Sequence, residues 1–221
     1  TLSSDGSVRI VTHRSEMGTG IRTSMPMVVA DELGADWDRV TIEQAPGDAR
    51  YGSQNTDGSR SVRYFFDRMR VAGATARTML EEAAAKRWGV DPTECKARGH
   101  QVVHEGSDKA LAFGELVEEA SKLAAPEAES LTFRPKSEYR YVGKHVPITD
   151  LTDIVTGKAG FGIDARMDDM LFAVIAHPPV LGASAKAYDA DAAKAVKGVV
   201  DVIELDGFEG APGFNPLGGV A

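Results

Sequence analysis

The feature that most constrains this chain is a change of hydrophobic period across a short glycine loop. Residues Ser7-Val8-Arg9-Ile10-Val11-Thr12-His13 alternate polar and apolar, as a half-buried strand does. After Ser15-Glu16-Met17-Gly18-Thr19-Gly20, the stretch Ile21–Leu33 is rich in Met, Val and Ala and ends at Gly34, which predicts a helix with a glycine stop. A glycine pair at a strand-to-helix turn lets backbone approach a ligand closely. It also leaves helix N-terminal N–H groups facing that ligand, a setting that favours anionic or strongly polar groups. Short glycine loops are common and usually only shape a turn, so the loop alone does not establish a cofactor site.

A second loop strengthens the first. The next predicted strand, Arg39-Val40-Thr41-Ile42-Glu43-Gln44, runs into seventeen residues, 45–61, with no regular pattern. They include Asn55-Thr56-Asp57-Gly58-Ser59-Arg60-Ser61. Loops this long inside a compact domain tend to be functional or disordered. Ser59 or Ser61 is positioned to cap a long helix starting near Val62. If the two strands are neighbours, two helix N-termini with free N–H donors converge on one ligand.

The run Glu16-Met17-Gly18-Thr19-Gly20, followed by Asp57-Gly58-Ser59-Arg60-Ser61, resembles the molybdenum-cofactor subunit of the xanthine dehydrogenase and aldehyde oxidase family, closest to the isoquinoline 1-oxidoreductase beta-subunit type. In that family a Met-Gly-Gln-Gly loop and a Ser-x-Ser loop contact molybdopterin through backbone N–H groups and hydroxyls. The resemblance implies cofactor-binding roles for Met17, Gly18 and Thr19, and for Gly58, Ser59, Arg60 and Ser61. Thr19 stands where the family pattern has glutamine, so a long amide is exchanged for a short hydroxyl. Later in the chain, Gly157-Lys158-Ala159-Gly160-Phe161-Gly162-Ile163-Asp164 and Met170-Leu171-Phe172-Ala173-Val174-Ile175-Ala176-His177-Pro178-Pro179 resemble the opening of the family's hammerhead domain. Residues 191–196 and 198–203 continue that likeness.

The expected fold is α+β: a layered molybdopterin-binding-type segment over residues 1–148, then a hammerhead-like domain over 149–221, truncated at its C-terminus. Within the first segment, residues 91–148 read as a small β-plus-helix excursion. It holds a short helix from Asp91, a strand and turn over 101–106, an amphipathic helix over 113–123 and a linker over 147–153. The long helix places Phe65, Met69, Ala72, Ala76, Met79, Leu80 and Ala83 near one face and exposes Arg68, Arg70 and Glu81. Gly73 costs this helix ~1 kcal/mol against alanine unless close packing requires it. The nearly unbroken apolar run 170–176 predicts a strand covered on both faces, and 183–196 predicts a helix. The family's Gly-Gly-x-Phe-Gly-Gly loop and its late Gly-x-Gly-Glu motif are not in this sequence, so an N-terminal part of a longer subunit is expected.

Composition narrows the partners. A net charge of −8 argues against a nucleic-acid partner, and no apolar run nears the ~20 residues that span a membrane. No signal peptide is visible, which decides nothing about compartment. Cys95 is the single cysteine, so the chain forms no internal disulfide and ligates no iron–sulfur cluster with cysteines. The five histidines lack metal-ligand spacing. Glu16 is better read as a helix-dipole carboxylate than as a catalytic acid. Arg60 and Arg63 are equally suited to gripping a phosphate or pairing with Asp57 or Asp67, and of Tyr64, Phe65 and Phe66 at least Phe65 is expected in the core.

For the intact subunit, the resemblance implies a molybdenum–molybdopterin cofactor, in a dinucleotide form, that hydroxylates an N-heterocycle or aldehyde with water-derived oxygen. A glutamate outside this chain would act as base, and a small iron–sulfur subunit would take the electrons. This chain alone is then expected to be inactive and to bind no cofactor. The second reading is a non-catalytic module that docks against the rest of its subunit or the iron–sulfur partner. A stand-alone nucleotide-binding protein fits poorly, because the loop is neither Gly-x-Gly-x-x-Gly nor a P-loop with its lysine.

Overall fold

The computed structural model describes residues 1–211, 213 and 215–221. They form two compact units, Thr1–Ala159 and Gly160–Ala221. That division falls later in the chain than residue 148.

In the first unit, strand β1 (Val8–Thr12) leads through the glycine loop into helix α1 (Ile21–Leu33) and back to strand β2 (Val40–Gln44). β1 and β2 pair in parallel, from Val8 opposite Val40 to Thr12 opposite Gln44. Gly34 ends α1 in the left-handed conformation, its N–H bonded to the carbonyls of Ala30 and Asp31. The long loop then delivers the chain to helix α2 (Arg60–Trp88), which packs along α1. Strands β3 (Cys95–Arg98), β4 (Gln101–His104) and β5 (Ala110–Ala112) form an antiparallel meander. Helix α3 (Phe113–Ala120) follows, shorter than the predicted 113–123. The predicted helix from Asp91 is one 3-10 turn, and the predicted linker 147–153 contains a short helix, α4 (Leu151–Val155).

One core joins these elements: Val8 and Ile10 from β1, Leu33 from α1, Leu80, Ala83 and Ala84 from α2, Val102 from β4, and Phe113 and Leu116 from α3. A smaller cluster of Ile21, Met25 and Phe65 lies where α1 and α2 begin. The two helices approach closely at Gly73. A Cβ there would stand 2.6 Å from the carbonyl oxygen of Val29 and 2.7 Å from Cβ of Glu32. Close packing therefore requires this glycine.

The predicted polar face of α2 needs correction. Ala72 is exposed, whereas Arg70 and Glu81 are largely covered and Arg77 is buried. For the arginines the cause is Glu32, a fully buried carboxylate on α1 that draws Arg70 (2.7 Å) and Arg77 (3.1 Å) inward, whereas Glu81 accepts the N–H of Ala97 at 2.8 Å. Glu32 also accepts the N–H of Arg134 at 3.1 Å. Next to it, Asp31 accepts the backbone N–H groups of Arg140, Tyr141 and Val142. Two adjacent acidic residues of α1 thus fasten the irregular segment 131–142 to the helix pair.

The second unit has little regular structure among its described residues. Helix α5 (Ala190–Lys194) is all that forms of the predicted helix 183–196, because Asp189 caps its start by accepting the N–H of Ala192 at 2.9 Å. Strands β6 (Glu204–Leu205) and β7 (Gly219–Val220) pair antiparallel. The predicted strand over 170–176 is not formed. Only Ala176 finds a ladder partner, Val220, and Leu171, Phe172 and Val174 are exposed. A doubly covered strand needs neighbours on both edges and layers on both faces, and the described residues of this unit supply neither to the run 170–175.

Candidate functional site

Parallel pairing of β1 and β2 brings their C-terminal ends together, and with them the loops 13–20 and 53–61. The loops are laced directly. The backbone N–H and hydroxyl of Ser15 both donate to the carbonyl of Gln54 at 3.0 Å. The Thr56 hydroxyl donates to the carbonyl of Ser15 at 2.6 Å.

Beneath this seam lies Arg14, whose side chain is 1% exposed. Its Nε donates to Ser61 Oγ at 3.0 Å, and its Nη1 donates to the carbonyl and hydroxyl of Ser53 at 2.7 and 3.0 Å. The guanidinium also lies over the ring of Phe65, 5.1 Å from its centroid. Its Nη2 is buried with no hydrogen-bond partner; the nearest carboxylate oxygen, Asp57 Oδ1, is 3.9 Å away. Burial lowers the pKa of Arg14, Asp57 opposes that shift and Arg60 adds to it. An arginine nonetheless stays cationic at neutral pH. Beside it, burial first, then the charges of Arg14 and Arg68, hold the His13 imidazole below its ordinary pKa. His13 packs edge-on against Phe65, and its Nε2 is also unpartnered.

The two helix N-termini differ. The loop before α1 encloses its own anion: Glu16 Oε1 accepts the N–H groups of Met17 (3.1 Å), Gly18 (2.7 Å) and Gly20 (3.0 Å), and Oε2 accepts that of Arg22 (2.9 Å). Desolvation opposes the charge on Glu16, but N–H groups of Arg22, Gly20, Gly18 and Thr19 outweigh it and hold the carboxyl below its ordinary pKa. Glu16 therefore takes the structural role expected of it, and the donors expected to be free at this helix are occupied. At α2 the reverse holds. Ser59 sits at the N-cap in a left-handed conformation (φ 54°) and makes no side-chain cap bond. The first N–H of this 29-residue helix, that of Arg60, donates to the carbonyl of Asp57 at 3.1 Å, and the N–H groups that follow it meet no side-chain acceptor among the described residues.

The seven sequence-predicted residues are placed as follows. Met17, Gly18 and Thr19 are exposed on the rim of the first loop. Gly18 has φ 88°, and a Cβ there would meet open space. Gly58 and Ser59 are exposed at the entrance to α2. Arg60 grips Asp57 through Nη2, at 2.6 and 2.5 Å. Ser61 is buried, its hydroxyl turned to Arg14. Phe65 is core and Tyr64 is exposed. Sequence reasoning missed Arg14, Ser53 and Gln54. The strand period could have found Arg14: positions 8, 10 and 12 face inward, and 14 continues that parity.

Residues 1–149 match the molybdopterin cofactor-binding domain family. The beta subunit of isoquinoline 1-oxidoreductase from Brevundimonas diminuta is 32% identical over 92% of this chain and 31% of its own length. A membrane-bound aldehyde dehydrogenase of Gluconacetobacter polyoxogenes, named for pyrroloquinoline quinone, is 32% identical over 93% of this chain and 27% of its own. A nicotinate dehydrogenase subunit from Pseudomonas putida is 29% identical over 95% of this chain and 18% of its own. The chain thus spans less than a third of the length of each of these relatives. With the family matching most of the sequence, this chain belongs to the molybdopterin cofactor-binding domain family.

Proposed function

We propose that this chain supplies part of the cofactor grip of a molybdenum hydroxylase subunit that acts on N-heterocycles or aldehydes. The observation that carries this reading is the seam of two loops at the ends of β1 and β2, with the open N-terminus of α2 and the buried Arg14 beneath it. The donor set suits the anionic end of a pterin or its dinucleotide: helix N–H groups, the Ser59 hydroxyl, and the cations Arg14 and Arg60. When bound, the molybdenum centre supplies a two-electron oxidation with water as the oxygen source. In this reading the residues of this chain orient and hold the cofactor rather than move a proton. The base would lie outside residues 1–221, and electrons would leave to a separate iron–sulfur subunit. Met17, Gly18 and Thr19 would form the rim against the cofactor, and Gly58 to Ser61 the floor.

The domain reading is a molybdopterin-binding segment over 1–148 followed by the first part of a hammerhead-like domain. A second reading, a docking module without catalysis of its own, draws on the second unit, where Ile163, Met167, Phe172, Val174 and Val200 are all exposed. Gly18→Val in the full-length subunit tests the cofactor grip. A β-branched residue at φ 88° is strained and puts bulk on the open side of the loop. Molybdenum by mass spectrometry, with pterin fluorescence after oxidation, should fall steeply while tryptophan fluorescence still reports a folded unit. Full metal content would reject the assignment.

A further inference from the structure

The first turn of α1 is held by residues that lie 126 to 128 positions later in the chain. Arg22 Nη1 donates to Asp150 Oδ1 at 2.8 Å, the Thr149 N–H donates to Thr23 Oγ1 at 2.8 Å, and the Thr23 hydroxyl donates to that of Thr149 at 3.2 Å. Ile148 lies over Gly20, where an added Cβ would come within 3.2 Å of its Cγ2. Three consecutive residues therefore meet Gly20, Arg22 and Thr23 at the entry to the helix. Their own turn is closed by the N–H of Leu151 on the carbonyl of Ile148 at 3.0 Å, and α4 starts directly after Asp150. The side chains of Arg22 and Asp150 are only 30% and 26% exposed, so water screens this ion pair less than one on the open surface.

Arg22 also closes the glycine loop, because its backbone N–H is the last of the donors on Glu16. Two carboxylates thus act on one residue: Glu16 from within the loop through the main chain, and Asp150 from outside it through the guanidinium. Among the described residues, the N–H groups of Met17, Gly18 and Gly20 have Glu16 as their acceptor and no backbone carbonyl. We propose that residues 148–150 are a clasp that fixes the cofactor-facing rim of the first loop, with Arg22 and Asp150 as positioning residues for it. Asp150 fixes the guanidinium, and Thr149 and Ile148 fix the adjoining turn. The Arg22 N–H then stays where Glu16 reaches it, and that carboxylate gathers the amides of 17, 18 and 20 into one loop shape. A rim ordered in advance leaves less ordering to be done when a ligand arrives. The inference rests on the cofactor-grip reading for what the rim faces.

Deuterium exchange of the full-length subunit freed of cofactor, read on peptides covering 16–23, tests the clasp. Asp150→Ala should speed exchange of these amides at least tenfold and leave β1, β2 and the middle of α2 at the parent rate. Asp153→Ala removes the same charge from α4 and should change nothing in 16–23. The pair is a single contact rather than a two-pronged fork, so Arg22→Lys should keep most of the protection and Arg22→Gln should lose it. Unchanged exchange in Asp150→Ala, or acceleration spread equally over β1 and α2, overturns the clasp. So does Arg22→Gln matching Arg22→Lys, an arm that decides the matter even if Asp150→Ala fails to fold. In the loaded subunit, molybdenum should dissociate at least fivefold faster from Asp150→Ala than from Asp153→Ala, and equal rates overturn the positioning role. Metal content indifferent to Gly18→Val would refute the cofactor grip and leave the exchange result standing, so the two readings fail separately.

Discussion

Gly73→Ala measures how closely α1 and α2 approach. On an open helix face the change would stabilise the protein by about 1 kcal/mol, through helix propensity and the reduced freedom of the unfolded chain. Here the added methyl would sit 2.6 Å from the Val29 carbonyl oxygen, 2.7 Å from Glu32 Cβ and 3.3 Å from the Leu33 nitrogen. Two of these obstacles are backbone atoms of a packed helix, so relief requires α1 to shift. The overpacking cost lies near the upper end of the usual range, about 3 kcal/mol. The net effect is a loss of about 2 kcal/mol. For a unit of this size that lowers the melting temperature by about 4–8 °C. Both tryptophans, Trp37 and Trp88, belong to the first unit, so their fluorescence follows its unfolding without interference from the second. An unchanged or raised melting temperature would refute the close-packing argument and return Gly73 to an ordinary helix-weakening glycine.

Glu32→Ala leaves Arg70 and Arg77 without their shared carboxylate and should cost about 3–5 kcal/mol, visible as early loss of tryptophan signal in urea. Glu16 titrates below its ordinary pKa, so its stabilisation is present above the unfolded value and is lost as pH falls through the folded one. Glu16→Gln should therefore flatten the acid limb of the stability profile. Glu81 has the opposite sign: burial, only partly offset by the N–H of Ala97 and by Arg77, raises its pKa. The native state then binds the proton more tightly than the unfolded chain, and stability declines as pH rises from the ordinary carboxylate value through the raised one. Glu81→Gln should remove that decline, read as a smaller difference in urea midpoint between mildly acidic and neutral pH.

The strand–loop–helix–strand order was legible because the period changes sharply at Gly20 and Gly34, and the structure places β1, α1 and β2 within a residue of the expected positions. The polar face of α2 was not legible. Periodicity assigns charged residues to solvent, and nothing local to Arg70, Arg77 or Glu81 announces a buried glutamate on another helix. The same limit hid the state of the two loops. Their convergence followed from strand pairing, but whether a donor is free depends on one rotamer, that of Glu16 in one loop and Ser59 in the other. The apolar run 170–176 misled for a different reason. Its composition describes what the segment would do with neighbours, and among the described residues only Ala176 has one.

That last segment gives the molecule two clocks. Among the described residues, the amides of 171–175 find no backbone acceptor, whereas β1 and β2 are paired along their whole length, and Val8, Ile10 and Thr12 of β1 are buried. Amide protons of the first kind exchange with deuterium almost as fast as they would in a short peptide, and those of the second only when the whole unit opens. A few seconds in heavy water should thus write the division at Ala159 directly into the mass of each peptide.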